Sequence, residues 1–362
     1  MNRALWSSGM LVLACATGHP PVPAPQPAPQ PAPQPAPRLP EAPTGFDTLT
    51  NGRVTQADHD ADRAQFEEDA FLPALGPAYN ARSCANCHET PVTGGSSQVT
   101  EIRTAAGLIR DRAVRAEVQE HLVSGTAFAE RIATSLLGLG LVEDVSDDQL
   151  RALALANGGQ VIEVPVLETP GVRRVGRFGW KCQHASLLSF AGEAEFTEKG
   201  VTNRLFTGGQ KPPFEDVKQD GSEDIDADAR FMRATKAPSR SPEAGSDQVR
   251  AGERIFLSIG CGSCHVQTLF TPKEVFHPYG DFLLHDIGTS DGITVGSAPT
   301  NKFRTAALWG LRARSRLMHD GRALGPVAAI QAHHVEGEAS RERWQGLSDQ
   351  DRSAVLAFLA SL

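Results

Sequence analysis

The chain has 362 residues and a formal net charge of −8, with 35 Lys and Arg against 43 Asp and Glu. That length is enough for two modest domains with real cores. The acidic balance, with no basic stripe to pair with phosphates, argues against a nucleic-acid partner.

The chain opens with a positive residue, Arg3, and an apolar run over residues 4–14, "ALWSSGMLVLA". The run is too short to cross a bilayer as a mature helix. Cys15 follows "VLA" directly and resembles the lipidation site of a bacterial lipoprotein signal. Residues 1–15 thus read as a lipoprotein signal segment, and the competing reading is an ordinary signal peptide cut nearby. Both export the chain to the periplasm. The lipid reading adds a membrane anchor, in the outer membrane or at the cell surface. Residues 16–45 are a Pro/Ala/Gln-rich linker with too few apolar side chains to bury, expected to stay extended. About 26 such residues at ~3.1 Å each would reach ~80 Å.

Two segments then carry the same pattern, "SCANCHE" at Cys84, Cys87 and His88, and "GCGSCHV" at Cys261, Cys264 and His265. Cys-x-x-Cys-His suits covalent haem. Two thiols add across the two vinyl groups, and the adjacent histidine is held beneath the iron. A zinc site needs a further ligand pair close by. A thioredoxin-like pair does not need the histidine, and a disulfide scaffold suits a much smaller chain. Two copies in an exported chain predict two covalently bound haem c groups.

Around these motifs the helical signals dominate. "SLLGLGLVEDVSDDQLRALALANG" reads as a helix end, a glycine break and a second helix capped by Ser146. "QVTEIRT" and "GQVIEVPVL" read as short strands. "QVRAGERIFLS" places Val249, Ile255 and Phe256 near one helical face just before the second motif. The C-terminus reads as a helix capped by Ser348 with Val355, Leu356, Leu359 and Leu362 as its apolar stripe. The expected fold is mainly α, with two cytochrome c-like haem domains, residues 46–235 and 236–362, and a few short strands. The polar, Asp-rich stretch 208–247 is the expected join.

Several stretches, "LGPAYNARSCANCHETPVTGGSS", "GRFGWK", "TEKGVTN", "YGDFLLHDIG", "FRTAALWGLRARSRLMHDGRA" and "AIQAHHVEGEA", resemble the di-haem oxidoreductases related to bacterial diheme cytochrome c peroxidases. Within that group they match the branch named for thiol oxidation. The resemblance runs from about residue 60 to the end, in the family's motif order. It implies one haem for electron entry and one for substrate chemistry, with peroxide or a thiol or protein as substrate and a small redox protein as partner. Counted from the HDG turn, it places the second axial ligand of the C-terminal haem at His333, with His334 the rival by register. Outside the signal region the methionines are Met232 and Met318, so a His/Met site has to use one of them. The resemblance also places Trp180 between the haems, against the reading of a plain core tryptophan. It makes Glu198 a proton-shuttling acid, with Glu193 and Glu195 as competitors. His319 with Asp320, and His285 with Asp286, read as structural pairs.

The chain departs from the family pattern at Cys182, where alanine is usual, with His184 two residues on. Cys182 reads as a buried small side chain or a reactive thiol, and His184 as a cap on the first haem. Two alanines, Ala306 and Ala307, stand where prolines are expected. This weakens the expectation of a calcium ion held by backbone carbonyls nearby. The alternative to an enzyme is a non-catalytic diheme electron carrier.

Overall fold

The computed structural model describes residues 39–68, 80–113, 116, 119–207, 214–215 and 223–362. The signal segment, Cys15 and nearly all of the Pro-rich linker lie outside the described residues, as does most of 208–222 within the expected join. None of the described helices is long and apolar enough to cross a membrane. Residues 39–362 form one compact unit.

The helices in chain order are α1 (Gln56–Phe66), α2 (Leu139–Asp144), α3 (Asp147–Asn157), α4 (Leu187–Ala194), α5 (Asp224–Ala234), α6 (Asp247–Ser258), α7 (Pro326–Gln331), α8 (Glu338–Gln345) and α9 (Asp349–Ser361). Side-chain caps start several of them. Thr55, Ser146, Ser186, Ser246 and Ser348 each accept the backbone N–H three residues on, satisfying a donor the helix leaves unpaired. Ser146 and Ser348 are the two caps expected from the sequence.

The rest is more strand-bearing than a mainly α reading implies. A small sheet runs in the order β2 (Gly107–Leu108), β1 (Thr100–Thr104), β3 (Ala129–Ile132). β4 (Glu163–Pro165) pairs antiparallel with β5 (Arg173–Val175). Further two-residue pairs include Leu284–His285 with Phe303–Arg304, and Arg316–Leu317 with Ala323–Leu324. The fold is therefore mixed, with helices carrying the cores and very short strands shaping the loops between them. Such strands escape periodicity, because two residues cannot display an alternation.

Two cores matter for function. In the first, α1, α2, α4 and α5 gather Phe66, Val142, Leu187, Ile225, Phe231 and Met232. Asp62 clamps Arg230 at 2.6 Å and Glu143 takes Arg233 through both oxygens at 2.6 and 2.9 Å, fixing α5 to α1 and α2. Part of the expected polar join is therefore a core helix. Asp224 and Asp228 are buried along with Ile225, Ala229 and Phe231, and Asp226 pairs with Arg204. In the second core, α6 crosses α9 around Val249, Phe256, Tyr279, Phe358 and Leu359. The crossing is tight at Gly252, where a Cβ would stand 1.9 Å from the Ala354 carbonyl oxygen, so only glycine fits. Of the predicted α9 stripe, Val355, Leu359 and Leu362 are buried, while Phe358 takes the central place.

Candidate functional site

The two Cys-x-x-Cys-His segments fold alike. Each begins with a single 3₁₀ turn, Cys84–Asn86 and Cys261–Ser263. In each, the histidine N–H donates to the first cysteine's carbonyl at 3.0 Å. In each, the imidazole Nδ1–H donates to a distant carbonyl: His88 to Gly95 at 3.1 Å, His265 to Tyr279 at 3.0 Å. A carbonyl can only accept, so Nδ1 carries the proton and Nε2 is left as the ligand nitrogen. Burial pushes both imidazoles down to about 4, so both are neutral, the form that binds iron. The four cysteines form no disulfide, and burial raises Cys87 and Cys261 to about 12, which does not fit a reactive redox thiol at either position. Among the described residues no three His, Cys, Asp or Glu side chains gather to hold a metal ion.

The second motif opens onto a cavity of about 220 Å³, lined mostly by apolar groups and by Cys261, Cys264, His265, Met318 and His333. His333, just past α7, donates from its Nδ1 to Ala329 O at 2.7 Å, again leaving Nε2. The rings of His265 and His333 lie 6.4 Å apart between centroids. Two imidazoles sharing one metal through Nε2 need roughly 6 Å: two metal–nitrogen bonds of about 2 Å and about 1 Å from each nitrogen to its ring centre. The separation of His265 and His333 is of that size. His334 is half exposed and turned to Glu338 at 3.1 Å, outside the cavity. Met318 lines the cavity in a left-handed conformation, φ 73°. Met232 lies in the α5 core.

His285 stands beside Cys264 with Asp281 on Nε2 at 2.9 Å and Glu336 on Nδ1 at 2.7 Å. Burial opposes its charge, yet Asp281 and its other partners hold it protonated up to about 11. Its neighbour Asp286 accepts from Asn301 at 2.6 Å. His319 is buried against Phe303, the rings stacked at 3.7 Å, and burial keeps it neutral, near 4. Asp320, next to it, pairs with Arg322.

Trp180 lines the same cavity, edge-on to His319 at 6.4 Å. Its Nε1–H donates to Ile132 O at 2.7 Å. The next carbonyl, Ala133 O, accepts from Ser97 N–H at 3.2 Å, two residues from Gly95, the carbonyl that holds His88. Three hydrogen bonds and a few peptide units thus join the indole at the second cavity to the imidazole of the first motif.

Beside the first motif, α4 runs into a π-turn over Glu195–Lys199, a distortion that commonly marks functional sites. The three candidate acids separate here. Glu193 accepts from His184 Nε2 at 2.8 Å and faces Arg103, and these partners, against burial, hold it far below the carboxylate range. Glu195 is paired with Lys199. Glu198 has no such fixed partner among the described residues. Burial, with help from Glu101, Glu193 and Glu195 and against Arg103, raises it to about 7. It is near enough to Cys87 that its charge adds to the burial that pushes that thiol up. His184 is occupied by Glu193 through Nε2. Cys182 is buried at 1% exposure, bonded through Sγ to Phe282 O at 3.4 Å, and raised to about 12 by burial. That environment fits an inert interior thiol.

Sequence reasoning missed Phe303, Glu336 and the buried group of Lys181, Arg131 and Asp291. Lys181, Phe303 and Glu336 stand within the quoted motifs but carry no signal of their own, and Arg131 and Asp291 reach Lys181 from 50 and 110 residues away.

Residues 213–362 match the family described as "Di-haem oxidoreductase, putative peroxidase", in line with the resemblance read from the motifs. No curated protein matches the chain. Three solved structures are similar at low identity. Hydrazine synthase of Kuenenia stuttgartiensis is 15% identical with TM-score 0.47, covering 98% of this chain and 100% of that one. A MauG-like protein associated with microbial copper homeostasis is 16% identical with TM-score 0.45, covering 90% and 92%. The diheme peroxidase BthA from Burkholderia thailandensis E264 is 14% identical with TM-score 0.47, covering 90% and 94%.

Proposed function

We propose that the chain is an exported diheme c-type oxidoreductase. It would pass electrons between two covalently held haems and couple them to peroxide reduction or to oxidation of a thiol or protein. The observation that carries this reading is the pair His265 and His333, 6.4 Å apart with both Nδ1 atoms committed to carbonyls, at a cavity whose wall includes Cys261 and Cys264. The duplicate turn at Cys84, Cys87 and His88 supplies the first attachment point. Haem, when bound, supplies a one-electron couple at each site.

The chain's own residues divide the work. His265 and His333 would together hold the second iron, which would favour electron transfer there over substrate binding. Trp180 would shorten the gap by placing an indole at the second cavity, tied by hydrogen bonds toward His88. Glu198, raised to about 7, would take and return a proton beside the first motif. Substrate chemistry therefore belongs at the first site. The second reading, a diheme carrier, is favoured by the 6.4 Å separation of the His265 and His333 rings, which would suit two histidine ligands at the second site. The carrier reading leaves Glu198 without a role. A small redox protein would exchange electrons with the chain, and Cys15, if lipidated, would tether it in the periplasm.

The test is direct. Denatured wild-type protein, expressed with a working haem-attachment system, should carry two haem masses. Replacing Cys84 and Cys87 with alanine, or Cys261 and Cys264 with alanine, should remove one each. A wild-type mass without haem would sink the reading. One high-spin iron in the oxidised protein supports the enzyme. Two low-spin irons that ignore peroxide and carbon monoxide support the carrier.

A further inference from the structure

Directly after Trp180 comes a lysine with a fully buried side chain, which is costly unless every proton and the charge are matched. Lys181 Nζ donates to three backbone carbonyls, Pro299, Thr300 and Lys302, each at 2.9 Å. Three donors meet three acceptors, as an ammonium requires. A carboxylate oxygen of Asp291 stands 3.4 Å away, and Phe303 offers its ring face at 3.7 Å. Asp291 is itself buried and is shared with Arg131, whose Nε donates at 3.0 Å. Although burial pulls Lys181 down to about 8, Asp291 supports the charge, so it is protonated at neutral pH.

Carbonyl and carboxylate oxygens converging on one point are the donor set that hard metal cations use. Here the point is filled from inside. We propose that the Lys181 ammonium is a tethered cation that occupies an oxygen cage of metal-site type, so that the chain orders this wall of its second cavity without a free ion. Arg131 and Lys181 share the one carboxylate of Asp291, so the net positive charge is carried by the three carbonyl dipoles, and a divalent ion in place of Lys181 would leave a larger one. A calcium ion would have to displace Lys181 from these oxygens and face Arg131.

The cage explains why the segment 299–302 sits where it does. It runs straight into Phe303, Arg304 and Thr305, which line the cavity. It is tied at one end to the Trp180 turn by Lys181, and at the other to Asp286 and Glu336 through Asn301 and Lys302. Arg304 N–H returns to Trp180 O at 2.8 Å. Lys181 is thus a positioning residue for Trp180 and Phe303.

The test is chemical rescue in the full chain. Wild-type thermal unfolding should be unmoved by EDTA and by millimolar Ca²⁺. Lys181→Ala should lower Tm by ~5 °C or more, as for a broken buried charge network. Ethylammonium chloride should restore it with saturation, and tetramethylammonium chloride at equal concentration should not. Lys181→Met, which fills the space without charge, should be destabilised and not rescued. The inference is overturned if Lys181→Ala melts with the wild type, if the two salts act alike, or if EDTA lowers the wild-type Tm. Should Lys181→Ala give no folded protein, native wild-type protein decides. Lys181 should resist acetylation that modifies the exposed Lys273, and equal labelling refutes the cage.

Discussion

Glu198→Gln tests whether the raised carboxyl beside the first motif is the proton-handling group. Burial, reinforced by Glu101, Glu193 and Glu195, lifts Glu198 from 4.5 to about 7. About a tenth of the carboxyl is then ionised at pH 6 and about nine-tenths at pH 8. Peroxide is neutral and gives up its proton first, so the ionised carboxyl starts the reaction. Peroxide turnover should rise ~10-fold between pH 6 and pH 8, and the rise should vanish in Glu198→Gln, with a loss of ~10²-fold or more at pH 8. The same shift must appear in stability. Because the folded-state pKa is raised, the contribution is fully present below about 4.5 and lost as pH rises through about 7. The span is worth at most ~3 kcal/mol. Glu198→Gln should therefore match the wild type in urea unfolding near pH 4.5 and exceed it at pH 8, by up to that amount. Equal differences at both pH values would show that Glu198 is not shifted. A pH limb that survives in Glu198→Gln would show that another group carries the proton.

His333→Ala should turn the second haem high-spin and let it bind carbon monoxide, while Met318→Leu should leave its absorption spectrum unchanged. The opposite pattern would make Met318 the ligand and raise that haem's potential. Cys182 should resist alkylation in the native protein and react only in denaturant; rapid native labelling would show a reactive thiol. Cys15→Ala should move the protein from the membrane to the soluble periplasmic fraction, and a soluble wild type would defeat the lipid anchor.

What the sequence shows of the site follows from how local each feature is. Each Cys-x-x-Cys-His turn spans five residues, so both are legible at once, and so are Ser146 and Ser348 as caps. His333 lies 68 positions from His265, and its place came from register with a family motif, not from any pattern of its own; the 6.4 Å ring separation supplies the physical reason. The resemblance favours Glu198, but Glu193 and Glu195 compete in the sequence, because a carboxyl's environment is invisible in one dimension. His184, Arg103 and Lys199 break the tie by taking the first two. Lys181 escaped altogether, since the three carbonyls it satisfies leave no trace in residue identity. The two sites share a motif yet part in chemistry for this reason. The turn that binds is written locally and repeats, whereas the groups that face it come from distant segments and differ. His333 lies across the second cavity from His265, which under the proposed function would favour electron transfer there. A partly buried Glu198, raised to about 7, stands near Cys87 and under the same proposal would serve substrate work at that end.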